Sequence, residues 1–248
     1  MEQLEHKSFL FALVNHFLGA PVASLLTALG FHVDPSHPVI PDHVIMAVFT
    51  AVLLTAGALW FRSRIRVEEP GKLQLALEAV VAALLGMLKE NVGPRGRQFL
   101  GLVGTLGLFI LLCNLLGLVP GFSSPTTNLN VTVGCALVSF LYYNYQGIQA
   151  QGLLHYLKHF LGPVLPLAII MLPIEIISHL SRVLSLSIRL FGNIFGEELV
   201  ILVLASLIPF LVPLPMMAFA VFGSLLQAFV FIMLTMIYLG GAVALEEH

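Results

Sequence analysis

Two arginines and three glutamates fall within one apolar stretch, PIEIISHLSRVLSLSIRLFGNIFGEELVILVLASLI, from Pro173 to Ile208. They are Glu175, Arg182, Arg189, Glu197 and Glu198. On insertion scales a single arginine at a bilayer centre costs about 2.5–3.5 kcal/mol or more, so charges in a lipid-embedded helix are functional by default. An arginine does not deprotonate in proteins and acts as a fixed cation. A carboxyl gains and loses protons. Together these residue types suit the movement of a proton or the binding of an anion. At roughly 100° per residue, Glu175, Arg182 and Arg189 share a face with Ser178, Ser185, Gly192, Asn193 and Gly196. Glu197 lies about 80° from that face and Glu198 lies opposite it. Glycines spaced as Gly192 and Gly196 let a second helix approach closely. The face reads as a place where a partner helix meets a guanidinium.

A plainer reading competes with this one. An intramembrane arginine can simply pair with a glutamate, and Arg182 could pair with Glu175 or Glu198 to join two helices. For Arg182 and Glu175 both readings stand, whereas Arg189 reads as functional. Gln227, in the middle of an uncharged run, fits an interhelical hydrogen bond. His155 and His159 are four apart but have no third ligand, so they read as interfacial rather than metal-binding. His16, His32, His37 and His43 gather near Asp34 and Asp42 and read as a solvated outer region. Cys113 and Cys135 lie in apolar runs and read as small buried hydrophobes. Gly71-Lys72 lacks the following Ser or Thr and the upstream glycine of a phosphate-cradling loop. No metal, cofactor or nucleotide site is expected on this chain.

The elements that position these residues follow from composition. Of 248 residues, 58% are hydrophobic and 10% charged, against roughly 25% charged in an ordinary globular domain. Such a chain cannot cover itself for water and must be solvated by lipid. A net charge of −2 and the lack of arginines interleaved with aromatics exclude a nucleic-acid partner. A crossing needs about 20 apolar residues. Val44–Phe61 is uncharged and stops at Arg62, Arg64 and Arg66. Gln98 to Leu154 holds no Asp, Glu, Lys or Arg over 57 residues, which allows two crossings, about 98–119 and 130–145, around the Pro120–Pro125 turn. Long helices are expected at about 173–208 and 215–243, separated by Pro213 and Pro215. Lys72 to Glu90 aligns Leu73, Leu77, Val80, Val81, Leu84 and Leu88, with Gln74, Glu78 and Lys89 off the stripe, as an amphipathic surface helix. Phe9–Phe31, interrupted by Asn15, His16 and Pro21, reads as an interfacial helix on the outer side. No basic n-region precedes it, so a cleaved signal peptide is not expected. The expectation is an all-α integral membrane protein with an outer segment over 1–42 and one membrane domain over 43–248. It holds about five long embedded helices plus the interfacial one.

SLSIRLFGNIFGEEL (Ser185–Leu199), followed by LLQAFVFIMLTMIYL (Leu225–Leu239), resembles the a subunit of F-type ATP synthases. NLLGLVP (Asn114–Pro120) and NLNVT (Asn128–Thr132) are also similar to that family. The resemblance runs from about Asp42 onward and is densest in the last two helices. It implies a proton-translocating stator subunit, not an enzyme by itself, that forms two aqueous half-channels against the c-subunit ring in the bacterial inner membrane. It also implies b-type peripheral stalk subunits as partners and strong tilting of the last two helices around the ring. By position, Arg189 is similar to the family's essential arginine and Gln227 to the residue supporting it. Asn193 and Glu198 match polar positions of the proton path, Glu175 an acidic cytoplasmic-side position, and Ser185 a path-lining serine. Some members carry a histidine where this chain has Ala220 and a small residue where it has Glu197, so Glu197 can stand in for that histidine.

Two other classes are open to the residues alone. A stand-alone ion or anion transporter would use Arg189 as its substrate site, but no repeat halves or paired broken helices are visible. An intramembrane hydrolase built on Ser224 would need an orienting base, and none is near it in sequence.

Seven of the eleven Lys and Arg residues lie between Phe61 and Gln98. By the positive-inside rule that loop is cytoplasmic, the N-terminus and the Pro120–Pro125 turn are outside, and the C-terminal Glu246-Glu247-His248 is inside. A cysteine placed at Ser123 should therefore react with an impermeant label added outside sealed vesicles. Labelling from the cytoplasmic side alone would reverse the assignment.

Overall fold

The computed structural model describes residues 8–28, 38–152, 156, 168–207 and 213–243. Asp34, His32, His37, His155, His159 and the C-terminal Glu246-Glu247-His248 lie outside the described residues. The long helices are α1 (Phe9–Ala28), α2 (Asp42–Arg62), α3 (Lys72–Val92), α4 (Leu100–Leu116), α5 (Leu129–Gln151), α6 (Ala168–Leu207) and α7 (Pro213–Val243). A 3-10 turn at Pro94–Phe99 leads into α4, and another at Pro125–Thr127 precedes α5. No strand occurs among the described residues. The protein is an all-α membrane protein.

The stretches Phe9–Ala28, Asp42–Arg62, Pro94–Leu116 and Pro213–Val243 are each long and apolar enough to cross a membrane. Many large apolar side chains of the first, second and fourth stretches are exposed, as are Ile169, Ile170, Ile174, Ile177 and Ile188 of α6, whereas in Pro94–Leu116 the exposed one is Leu108. Backbone polar groups in lipid must be satisfied internally, and continuous helices do that. Asp42 in the first turn of α2 and Arg62 in its last complement the helix dipole. Pro213 opens α7, where its missing N–H costs nothing.

Three details depart from the sequence reading. The α6 helix starts five residues earlier, so Pro173 sits inside it rather than at its head. It falls in the second turn, where it removes only the bond to the Ile169 carbonyl. The α4 helix ends at Leu116, and the chain then turns through 3-10-type bonds from Leu118 to Leu115 and from Val119 to Leu116. In α3, Gln74 lies off the apolar stripe yet is buried. Its amide accepts from the Arg66 N–H at 3.1 Å and donates to the Arg66 carbonyl at 2.9 Å and to Glu78 at 2.8 Å. Tying down the loop after α2 outweighs its polarity.

The chain gathers into two compact units. One comprises the described residues of Met1–Trp60, Phe109–Val131 and Phe191–Gln227. Ile45, Met46 and Thr50 of α2 are buried in it, with Ile110, Cys113, Ile194 and Ala220. Phe49 stacks on Phe122 at 5.8 Å. Asp42 accepts from the hydroxyls of Ser8 and Ser123 and from the Ser8 N–H, which pins α1 and the α4–α5 connection to the head of α2. Asn15 likewise bonds the Ile40 backbone in both directions.

The other unit comprises the described residues of Phe61–Leu108, Thr132–Leu190 and Ala228–His248. Leu88, Phe99, Val103, Tyr143, Met236, Leu239 and Val243 form its core. Leu84 packs against that core too, whereas Leu73, Leu77, Val80 and Val81 of the same stripe stay exposed. Small residues bring the helices together: a Cβ on Gly240 would collide with the Asn91 carbonyl, and one on Gly147 would lie 2.6 Å from the Tyr156 ring. Ser139 donates to Thr235 across the α5–α7 contact at 3.1 Å.

Gly240 and Gly241 provide a matched pair, because a Cβ on Gly241 meets nothing within 4 Å. Gly240→Ala must push backbone apart and should cost about 1–3 kcal/mol. Gly241→Ala should be neutral or gain up to about 1 kcal/mol in helix propensity. Heat resistance of the detergent-extracted protein should fall for the first variant only.

Candidate functional site

The α6 helix carries the charged stripe because its sequence from Ile174 on is free of proline and its buried positions recur at helical spacing. Leu186, Leu190 and Ile194 are each no more than 3% exposed. Arg189 stands beside this seam and is half-buried. Its Nη2 donates to Ser185 Oγ, one turn earlier, at 3.4 Å. The flank next to it is open: Ile188 and Asn193 are exposed, and a Cβ on Gly192 or Gly196 would meet nothing within 4 Å. The glycine pair that suits close helix approach is therefore not used among the described residues.

In the same unit as Cys135, Tyr143 and the α5–α7 contact, Glu175 and His179 form an i, i+4 pair, with His179 Nε2 3.3 Å from Glu175 Oε1. Arg182 pairs with neither Glu175 nor Glu198, as the sequence had suggested. Its guanidinium lies over the Tyr238 ring, 5.3 Å from the centroid, next to Tyr143. Seven residues span two helical turns, about 10 Å, which is too far for Arg182 to reach Glu175 when an aromatic face is nearer.

In the other unit, Asn193 Nδ2 donates to Gln227 Oε1 at 2.7 Å, and Gln227 is 2% exposed. Gln227 is thus an interhelical hydrogen-bonder as well as a candidate path residue. Glu197 packs its carboxylate against Gly223 of α7, where a Cβ would collide with Oε1. Ala220, one turn earlier on α7, is buried. Glu198 reaches the α4–α5 connection: its Oε1 would lie 2.9 Å from a Cβ on Gly117, and its carboxylate faces the Ser124 amide. Behind it runs a buried polar chain. Ser124 Oγ donates to the Cys113 carbonyl at 3.0 Å and contacts Thr126 Oγ1 at 2.7 Å, and Thr126 donates to Asn114 Oδ1 at 2.7 Å.

Sequence reasoning passed over His179 and Tyr143. The Glu175–His179 spacing was a visible signal, since residues four apart are helix neighbours. Tyr143 carried none, because its role depends on how α5 meets α6. Among the described residues, no three His, Cys, Asp or Glu gather where they could hold a metal ion. Cys113 and Cys135 are both buried and neither is in a disulfide.

The family described as ATP synthase A chain matches residues 44–240. An ATP synthase subunit a of Geotalea daltonii is 44% identical over 225 residues, covering 90% of this chain and 93% of its own. An ATP synthase subunit a 1 of Syntrophotalea carbinolica is 44% identical over 239 residues, covering 96% and 97%. An ATP synthase subunit a 3 of Pelobacter propionicus is 51% identical over 178 residues, covering 72% and 76%. With an all-helical membrane fold and the charged α6 stripe, a match of this extent leaves one assignment: this chain belongs to the ATP synthase A chain family.

Proposed function

We propose that this chain is the proton-translocating subunit a of a bacterial F-type ATP synthase, non-catalytic by itself, with Arg189 as the fixed cation between two half-channels. The observation that carries the reading is the half-buried Arg189 beside an open glycine face. Lipid does not solvate a guanidinium, so that flank requires a protein partner. A ring of c subunits presenting a carboxyl fits it in charge and in closeness of approach. The b-type stalk subunits would hold the chain still while the ring turns. Nothing in the family relationship supports a stand-alone transporter.

A positive charge beside a carboxyl lowers its pKa by about 1–3 units. A protonated rotor carboxyl reaching Arg189 therefore gives up its proton to one half-channel, passes as the anion, and is reloaded from the other. Arg189 itself passes no proton, which blocks a direct leak. Asn193, Glu197, Glu198 and Gln227 are assigned to the outer path and its junction with Arg189, and Glu175 and Ser185 to the cytoplasmic path. The domain layout is proposed as a segment over 1–42 and one membrane domain over 43–248, N-terminus outside and C-terminus cytoplasmic. The last two helices would wrap the ring.

Glu197 tests the outer path. Glu197→Gly should slow proton flow about a hundredfold, at the low end for loss of a positioned acid–base group. It also empties the space beside α7 at Gly223, so Ala220→His added to it should partly restore flow. Wild-type pumping by the single variant would make Glu197 a bystander.

Arg189 tests the whole reading. Arg189→Ala should abolish coupled ATP synthesis and open a passive leak. A unit charge at 4 Å is worth about 4 kcal/mol at an effective dielectric of 20, so the leak should rise by up to roughly 10³-fold. Arg189→Lys keeps a charge but loses the planar fork and should stay inactive with less leak. Acid-driven synthesis and dye-reported proton permeability are measured in vesicles matched for assembled complex. Normal synthesis by the alanine variant would overturn the assignment.

A further inference from the structure

His179 is held at both ring nitrogens. Its Nε2 lies 3.3 Å from Glu175 Oε1, and its Nδ1 lies 3.0 Å from the Tyr143 hydroxyl on α5. The imidazole side chain is 12% exposed and Glu175 is 32% exposed. The Tyr143 ring stacks on the imidazole at 5.9 Å and 29°, and Phe140 meets its edge at 6.1 Å. The ring is thus fixed in place while its two partners differ in character.

A neutral imidazole offers one donor and one acceptor, and an imidazolium offers two donors. A phenol oxygen both donates and accepts, and a carboxyl changes role with its own proton. This setting therefore satisfies His179 in either charge state without moving a heavy atom. A histidine that only joins two helices needs one of those states. A proton carrier needs both.

Taking the proton path above as its basis, we propose that His179 is a proton-carrying residue of the path on the Glu175 side of Arg189. With Nδ1–H donated to Tyr143 Oη, Nε2 accepts from a protonated Glu175. The carboxyl O–H bond breaks and the Nε2–H bond forms, leaving a carboxylate and an imidazolium whose two N–H groups both stay bonded. The reverse step returns the proton to Glu175, the more exposed of the pair, which exchanges it with water. His179 lies one helical turn nearer Arg189 than Glu175 does, so each transfer moves the proton along α6.

The surrounding charges are compatible with both states. Glu175 favours the imidazolium. Arg182, over Tyr238 and beside Tyr143, opposes it. Tyr156, in electrostatic reach of Arg182 and Glu175, adds no charge while it keeps its proton. Imidazole ordinarily titrates near ~6.5, within the working range of a proton path.

The deciding variant is His179→Gln, because an amide keeps a donor and an acceptor for Glu175 and Tyr143 yet carries no exchangeable charge. ATP-driven proton uptake is followed in inverted vesicles holding the whole ATP synthase, from about pH 5.5 to 8.5 around the histidine range. His179→Gln should assemble normally and pump about a hundredfold more slowly, and the inflection expected of the unaltered protein in that range should be absent. Glu175→Gln combined with His179→Gln should be no slower than the slower single variant, as expected for two stations in series. Wild-type rate and pH profile in His179→Gln would overturn the proposal. So would failure of that variant to assemble, since it would mean the imidazole serves packing. Arg189→Ala in the same vesicles separates the two levels. Proton uptake surviving there removes the path itself, whereas its loss alongside a normal His179→Gln removes only the histidine.

Discussion

The cost of charge in lipid organises this molecule. One 40-residue helix, α6, carries two arginines and three glutamates, and each must be solvated by protein rather than by the bilayer. The partners come from α6 itself, from α7 and from the α4–α5 connection. Glu175 takes His179, Arg182 takes the Tyr238 face, Asn193 takes Gln227, and Glu198 faces the Ser124 amide. Most of these partners are neutral and polar or aromatic. Their selection stabilises charge without cancelling it, which leaves the carboxyls free to change protonation. Arg189 donates to Ser185 on its own helix at 3.4 Å, beside an exposed flank.

Close approach is the means by which those partners arrive. At Gly117 and Gly223 the glutamate carboxylates of α6 occupy the volume a methyl group would fill. Gly240 and Gly147 do the same for backbone and ring contacts in the other unit. Helix association in membranes relies on packing of this kind because apolar side chains gain little by leaving lipid. Gly192 and Gly196 have the same chemistry, and among the described residues nothing lies within 4 Å of a Cβ built on either.

The sequence exposed the helices and the charged stripe because lipid imposes length and polarity rules that act residue by residue. Arg62, Arg64 and Arg66 ended α2, and the run from Gln98 to Leu154 announced its helices by lacking charge. Pairing was less legible. Arg182 looked like half of an ion pair, yet an aromatic face on α7 holds it, and nothing local to Arg182 points to Tyr238. Gln74 looked solvent-facing on the wheel, yet the loop at Arg66 needed its amide. Such outcomes depend on which helix lands beside which, information spread over more than a hundred residues.

The spacing of charges along α6 decides what Arg189 is able to do. Glu175 precedes it by fourteen residues, about 21 Å of helix, and Glu197 follows by eight, about 12 Å. At an effective dielectric of 20 the guanidinium contributes about 0.8 kcal/mol at the first distance and about 1.4 kcal/mol at the second. Neither is enough to hold an acid permanently ionised. At 4 Å the same charge is worth about 4 kcal/mol, or nearly three decades in an equilibrium. Arg189 therefore acts strongly only on a carboxyl brought against its open flank. The acids on its own helix stand too far along the axis for its charge alone to fix their ionisation.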